Sequence, residues 1–398
     1  MPISHLKDFC VLIFFSIFLA VGISKPIGYS NSIRDQALRK RANLNVVKTT
    51  FTDTQTIDWI PLTSQGNIAQ APPDPAPRTV SRPLAELEQP GADLGPPGTV
   101  PIPQVNLNHL SNTIIKSSPE ITNSKRQDSV SGSHWYVSSN QSVSNLGGSG
   151  IFSLFEAYTE SPADFSLIQT AVTREDVSIS WRGFPIPSTQ TVEAGWINYK
   201  YQNSQPHLFT YYTTNGYIGE GDNQGGWNTE HVGWVQVDRK IHPGSVFTPL
   251  SVDGGAQNDL RIEYALFRGN WWLSVEDRWI GYYPGSLFSF PSSDPPENTL
   301  AGGSSKVHFY GEVLNMEESL TTTDMGSGQW ASTGYGHAGY IINMTYRNTN
   351  NVKMPFNGSD FTDSDITRYT HEADFTSGTD RGSYMFLGGP GAGGAVNG

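Results

Sequence analysis

Two glutamates stand in settings that suit carboxylate chemistry. Glu193 lies in Thr191-Val-Glu-Ala-Gly-Trp196, and Glu312 lies in Val307-His-Phe-Tyr-Gly-Glu-Val313. If each segment is a strand, alternation puts Glu193 on one face with Thr191, Gly195 and Ile197, and Glu312 on one face with His308 and Tyr310. A glycine beside Glu193 would leave open space over the sheet for a substrate backbone. Two neighbouring carboxyl groups do not both ionise cheaply, so at acidic pH such a pair holds one proton. The ionised member can then take a proton from an attacking water, and the protonated member can donate to a leaving group. On residue type alone, a solvent-facing glutamate on a half-exposed strand is the ordinary reading of each position, because antiparallel sheets commonly face water on one side.

Other routes to hydrolysis are missing. There is no G-x-S-x-G elbow, no H-E-x-x-H helix and no phosphate-binding loop, and the nine histidines show no metal-ligand spacing. The single cysteine, Cys10, falls in an N-terminal apolar run at residues 11–21 and its short polar lead, which reads as a secretory signal ending near Ser24. No disulfide, thiol nucleophile, metal or cofactor is therefore expected in the secreted, extracellular protein. Once the signal is removed, no membrane segment remains. The net charge of −12 excludes a nucleic-acid partner, which would need a basic face.

The elements that must position the glutamates read as short antiparallel strands. From about residue 133 the chain is rich in aromatic and β-branched residues punctuated by glycine. Residues 208–213, 232–237, 262–267, 271–275, 279–283 and 307–314 all fit strands, with hairpin turns at Arg268-Gly269-Asn270 and Glu276-Asp277. The pattern predicts an all-β fold, an antiparallel β-sandwich of jelly-roll type. The preceding hundred residues differ. Their proline runs, at residues 71–78 and 89–104, argue for a loosely structured pro-region. It ends at a dibasic pair, Lys125-Arg126, where composition changes. The expected organisation is a signal at 1–24, a pro-region at 25–126 and a β-sandwich domain at 127–398 with a flexible Gly-rich tail. Asn140, Asn343 and Asn357 each open a glycosylation sequon.

Several segments resemble the neprosin family: VEAGW at 192–196, GNWWL at 269–273, IGYYPGSLF at 280–288, YGEVLN at 310–315, MGSGQW at 325–330 and FLGGPG at 386–391. Their order and spacing match over about 250 residues, and residues 43–49 and 57–59 resemble the family's activation segment. The resemblance implies a glutamic endopeptidase made as a zymogen, with Glu193 and Glu312 as its catalytic pair. It further implies protein or peptide substrates, cleavage after proline as in the type member, and inhibition by the chain's own pro-region. A monomer is expected. Plant members carry cysteines where this chain has residues 219–226, GEGDNQGG, which points to a reshaped loop near the cleft. Gln257 and Tyr310 are candidate oxyanion donors; their ordinary roles would be a loop amide and a sheet-packing aromatic, and the latter is the favoured reading of Tyr310. Trp196, Tyr212, Trp271 and Trp272 are candidate subsite walls, although large aromatics in such a sheet are usually core. Two other functions suit the same residues: a glycoside hydrolase, which also uses two carboxylates in an aromatic cleft, and a sugar-binding sandwich, which has no use for a pro-segment.

Overall fold

The computed structural model describes residues 43–75, 93–105, 132–181, 184–217, 225–289, 294–358, 360–376 and 380–398. The signal, Lys125-Arg126 and most of the 219–226 loop lie outside these residues. Among the described residues the regular structure is strands and short 3-10 turns. The strands form three antiparallel sheets.

The N-terminal sheet holds β1 (Lys48–Phe51), β2 (Thr56–Pro61) and β3 (Thr99–Pro103), with β2 in the middle. This stretch is more ordered than its proline content suggests, and position explains why. Pro101 and Pro103 lie on the edge strand β3, paired with Trp59 and Ile57, where a missing N–H disrupts no ladder. Trp59 is buried, and the backbone at Gly95 lies so close to its ring that a Cβ there would sit 2.3 Å from it.

The remaining strands build a sandwich. They are β4 (Ser133–Asn145), β5 (Gly147–Ser153), β6 (Phe165–Trp181), β7 (Phe184–Asn198), β8 (His207–Thr213), β9 (Gly225–Trp227), β10 (Val235–Gln236), β11 (Asp259–Phe267), β12 (Asn270–Val275), β13 (Arg278–Pro284), β14 (Ser304–Asn315), β15 (Gly339–Arg347), β16 (Lys353–Pro355), β17 (Asp360–Asp363), β18 (Thr370–Asp374) and β19 (Tyr384–Gly388). The first sheet has the order β17-β4-β14-β6-β7-β8-β9. The second runs β10-β13-β12-β11-β5-β15-β19-β18, with β16 added on β15. Ile168, Val172 and Trp196 from the first sheet join Phe152, Ile262 and Leu273 from the second in one buried core.

Five of the six expected strands form with small shifts at their ends. The segment 232–237 pairs only at Val235 and Gln236, because Gly233 adopts φ 127° and turns the chain before them. The β11–β12 turn has positive φ at both Arg268 (49°) and Gly269 (73°), the geometry of a two-residue hairpin. The C-terminal tail is docked, contrary to the expectation of flexibility. Met325 bridges Gly389, Ala392 N–H donates to Thr321 O at 2.9 Å, and Asn397 N–H donates to Asp324 Oδ2 at 3.0 Å.

Candidate active site

Glu193 and Glu312 lie on the two strands that flank β6. Glu193 pairs with Ala171 of β6 and Tyr211 of β8, and Glu312 pairs with Leu167 of β6 and Tyr136 of β4. Paired residues share a face, so both glutamates project from the side of the first sheet opposite the core. Between them on β6 sits Gln169, opposite both Tyr310 and Gly195. Both carboxylates are fully buried.

Burial of a carboxylate requires hydrogen-bond partners, and each has them. Glu193 Oε2 accepts from Gln169 Nε2 at 2.6 Å and from the Tyr310 hydroxyl at 2.9 Å, and Oε1 accepts from the Tyr217 hydroxyl at 2.5 Å. Its backbone carbonyl is held from the core side by the Thr210 hydroxyl at 3.0 Å. Glu312 Oε1 lies 2.7 Å from His134 Nδ1 and accepts from the Tyr136 hydroxyl at 3.2 Å. Burial, and then the negative charge of Glu193, holds both the Tyr217 and Tyr310 hydroxyls well above their usual titration range. Both therefore stay protonated donors. The Tyr310 hydroxyl also feels the charge of Glu312.

The glycine beside Glu193 does different work from that expected. A Cβ at Gly195 would come within 2.1 Å of Ile168 O and 2.7 Å of Gln169 Cα. The glycine lets β7 approach β6 closely beside Glu193 rather than opening space above the sheet. Gly311 faces the core, where Leu387 and Met325 crowd it at 2.7 Å.

Of the sequence-predicted residues, the structure brings Tyr310 to the glutamates. Trp196, Tyr212 and Trp271 are buried in the inter-sheet core, with the Tyr212 hydroxyl on Val232 O and the Trp271 indole on Leu300 O. Trp272 packs on the outer face of the second sheet with Trp279 and Tyr282. The Gln257 amide donates to Val252 O, Gly255 O and Gly336 O, holding a loop of the second sheet. Asn140 is buried in β4 and donates to Asp360 O, so a glycan there would displace β17, whereas Asn343 and Asn357 are exposed.

Four residues around the carboxylates escaped sequence reasoning: His134, Tyr136, Gln169 and Tyr217. Gln169 carried a signal, as a lone amide in the apolar run Ser166-Leu-Ile-Gln-Thr-Ala-Val172. Tyr217 carried none, because a loop turn with φ 62° aims it back over β7.

The Neprosin family model matches residues 162–390, which is more than half of the chain and includes both glutamates. The chain belongs to the neprosin family. Like the neprosins it joins, it is a glutamic-type peptidase. Two solved structures of scytalido-glutamic peptidase are also similar to it. One carries a transition state analog inhibitor and one a peptide based transition state analog; the identities are 7% and 6%, and the TM-scores 0.30 and 0.29. Each alignment covers 65% of this chain and 98% of the other. Within this neprosin, β6, β7 and β14 all fall inside the family match, whereas His134 and Tyr136 precede it.

Proposed function

We propose that the protein is a secreted, acid-active glutamic endopeptidase made as a precursor, with Glu193 and Glu312 as its catalytic pair. The observation that carries this reading is two fully buried strand glutamates on one face of one sheet, on the two strands that flank β6, each held by side-chain hydrogen bonds.

The partners of each carboxylate suggest a division of labour. Both oxygens of Glu193 already accept from donors, which hold the carboxylate in one orientation. Glu193 then acts as the base that takes a proton from water as it attacks the peptide carbonyl. Glu312 neighbours His134 Nδ1, a group that can accept as well as donate. Glu312 takes the complementary role in this reading: it polarises the carbonyl and delivers a proton to the leaving nitrogen. Tyr310 and Gln169 keep Glu193 oriented.

The precursor reading is supported by how the N-terminal sheet docks. Gln55 Nε2 donates to Gly244 O at 2.8 Å, Arg239 Nη2 donates to Gly95 O at 2.8 Å, and Gln65 exchanges two bonds with the backbone of Gln236 on the edge strand β10. Pro103, Gln104 and Val105 line a groove with Tyr199 and Tyr201. The chain continues from Val105 and is next described at Gly132, against Leu314, two residues past Glu312. The linker bearing Lys125-Arg126 thus joins points near the same end of the first sheet. Its cleavage would free the pro-region. Glycans on Asn343 and Asn357, and cleavage after proline, complete the proposal.

The test uses the full precursor, incubated at acidic pH and offered proline-containing peptides. Cleavage should follow loss of the pro-region and disappear in Glu193→Gln and Glu312→Gln. Near wild-type cleavage by both variants would refute the pair. Full activity of a precursor made uncleavable at Lys125-Arg126 would refute the zymogen.

A further inference from the structure

The outer face of the second sheet, remote from the glutamates, carries an aromatic platform. Trp272 lies 4.5 Å from Tyr282 and 6.4 Å from Trp279, ring centre to ring centre, and Ala265, Val235 and Phe267 complete the cluster. All three aromatics are buried, although the face points away from the core. A segment of the chain's own N-terminal region covers it.

That segment is Ala69-Gln-Ala-Pro-Pro-Asp-Pro75, and it has no helix or strand. Its burial repeats every three residues. Ala69 and Pro72 are half-buried and Pro75 is buried, while Gln70, Ala71, Pro73 and Asp74 are exposed. A contact at every third residue lays one edge of this proline-rich segment on the surface, with a bend at Pro73. The polar contacts fit the same picture. The Trp279 indole N–H donates to Pro73 O at 3.0 Å, Ala69 N–H donates to the Tyr282 hydroxyl at 3.0 Å, and Arg268 donates to the Gln70 side chain. Aromatic-lined surfaces are a recurring way to recognise proline-rich segments, and here an indole donor is aimed at one of the segment's carbonyls.

We propose that this platform is a docking site for proline-rich polypeptide, occupied in the precursor by residues 69–75. When the pro-region leaves, which rests on the zymogen reading above, the site becomes an exosite that holds proline-rich substrates on the face away from the proposed catalytic pair. Arg268 at its rim adds a preference for a polar or acidic residue beside the prolines, as Gln70 provides here.

The test is a binding measurement on the full chain carrying Glu193→Gln, so that neither chain nor probe is cut. The probe is a fluorescent peptide with the sequence of residues 69–75. The parent chain, its site filled in cis, should leave the probe free. Pro72→Ser with Pro75→Ser should vacate the platform and allow saturable binding. Adding Trp279→Phe keeps a ring but removes the N–H, and should weaken binding roughly two- to tenfold, the worth of one hydrogen bond. A probe with alanine at its three prolines alters no protein residue and should bind at least about tenfold more weakly. The proposal is overturned if the vacated chain fails to bind the probe up to about 1 mM, binds the alanine probe equally well, or ignores Trp279→Phe. These readouts involve no catalysis, so they stand or fall apart from the glutamate pair. In the activated enzyme, Trp279→Phe should raise KM for a proline-rich protein and leave short-peptide cleavage unchanged. An equal effect on both substrates would refute the exosite.

Discussion

Among the described residues, three strand glutamates are fully buried, and they divide into two kinds of site. Glu263, on the outer face of the second sheet, is met by cations. Arg347 Nε donates to its Oε1 at 2.7 Å and Lys353 Nζ to its Oε2 at 2.7 Å. Glu193 and Glu312, on the first sheet, are met by tyrosine hydroxyls, a glutamine amide and a histidine. Two cations give the Glu263 carboxylate a counter-charge and clamp β11 to β15 and β16. Hydroxyl, amide and imidazole groups satisfy a carboxylate without an Arg or Lys counter-charge, which suits acid–base work. Burial alone does not separate the two kinds of glutamate; the partners do.

The sharpest way to break this contrast is to remove the charge at each site without changing shape. Glu193→Gln and Glu312→Gln should each lower peptide cleavage by roughly 10²–10⁴, the usual worth of a positioned acid or base, with melting temperature nearly unchanged. Glu263→Gln should leave kcat/KM intact. Loss of activity in Glu263→Gln comparable to that in the other two would erase the distinction.

The second test reads stability. Glu263→Ala leaves Arg347 and Lys353 facing each other without a counter-charge. Breaking a fully enclosed pair costs about 3–5 kcal/mol. Here Lys353 keeps 40% of its side chain exposed and can turn to water, so about 2–3 kcal/mol is expected in a denaturant titration. Activity at temperatures below unfolding should not change. A destabilisation under about 0.5 kcal/mol, typical of a surface pair, would mean that the cations do not depend on Glu263.

How much of this contrast could be read beforehand follows from what sequence encodes. Alternation and glycine-marked turns made the sandwich legible, because period-two burial and hairpin turns are local signals. The faces of Glu193 and Glu312 were legible for the same reason. Their pairing across β6 was not, since register depends on the long β6–β7 hairpin and its bulge between Arg174 and Val177. His134 and Tyr136 reach Glu312 from 178 and 176 residues away. The order within the proline-rich N-terminal region was also hidden. It depends on an edge position for β3 and on a distant aromatic face for residues 69–75, and neither leaves a mark in the segment itself.

Buried histidines extend the comparison to groups whose partners are carbonyls and amides. His207 and His242 are fully buried where the N-terminal sheet docks. His207 Nδ1 lies 2.8 Å from Gln205 O, and His242 Nδ1 lies 2.9 Å from Pro243 O. Burial pushes each down to about 4, with Glu230 lining the groove beside His207 and Asp238 opposing the shift at His242. The folded state therefore refuses a proton that the unfolded state accepts between about pH 6.5 and 4. Stability should fall as pH drops through that window, by up to about 3 kcal/mol for each histidine. Melting curves of the Glu193→Gln precursor at pH 7, 5.5 and 4 would check this. His207→Gln with His242→Asn should flatten the slope, and an unchanged slope would place its origin elsewhere.

The smallest expected effect tests the contrast from within the proposed site. Tyr217→Phe removes one of the three neutral donors to Glu193 and leaves Gln169 and Tyr310 in place. With one fewer hydrogen bond to its charged form, Glu193 should hold its proton more tightly. The acid limb of the pH–rate profile should then move to higher pH, and kcat should fall by about tenfold, equivalent to one charge-assisted bond. Thermal stability should change little, because the phenyl ring still stacks on Tyr211, whose centroid lies 6.0 Å away. A drop in kcat with an unmoved acid limb would mean that Tyr217 supports the loop above Glu193 without setting its proton affinity. A shifted limb would confirm that neutral donors, which Glu263 lacks, tune this carboxylate.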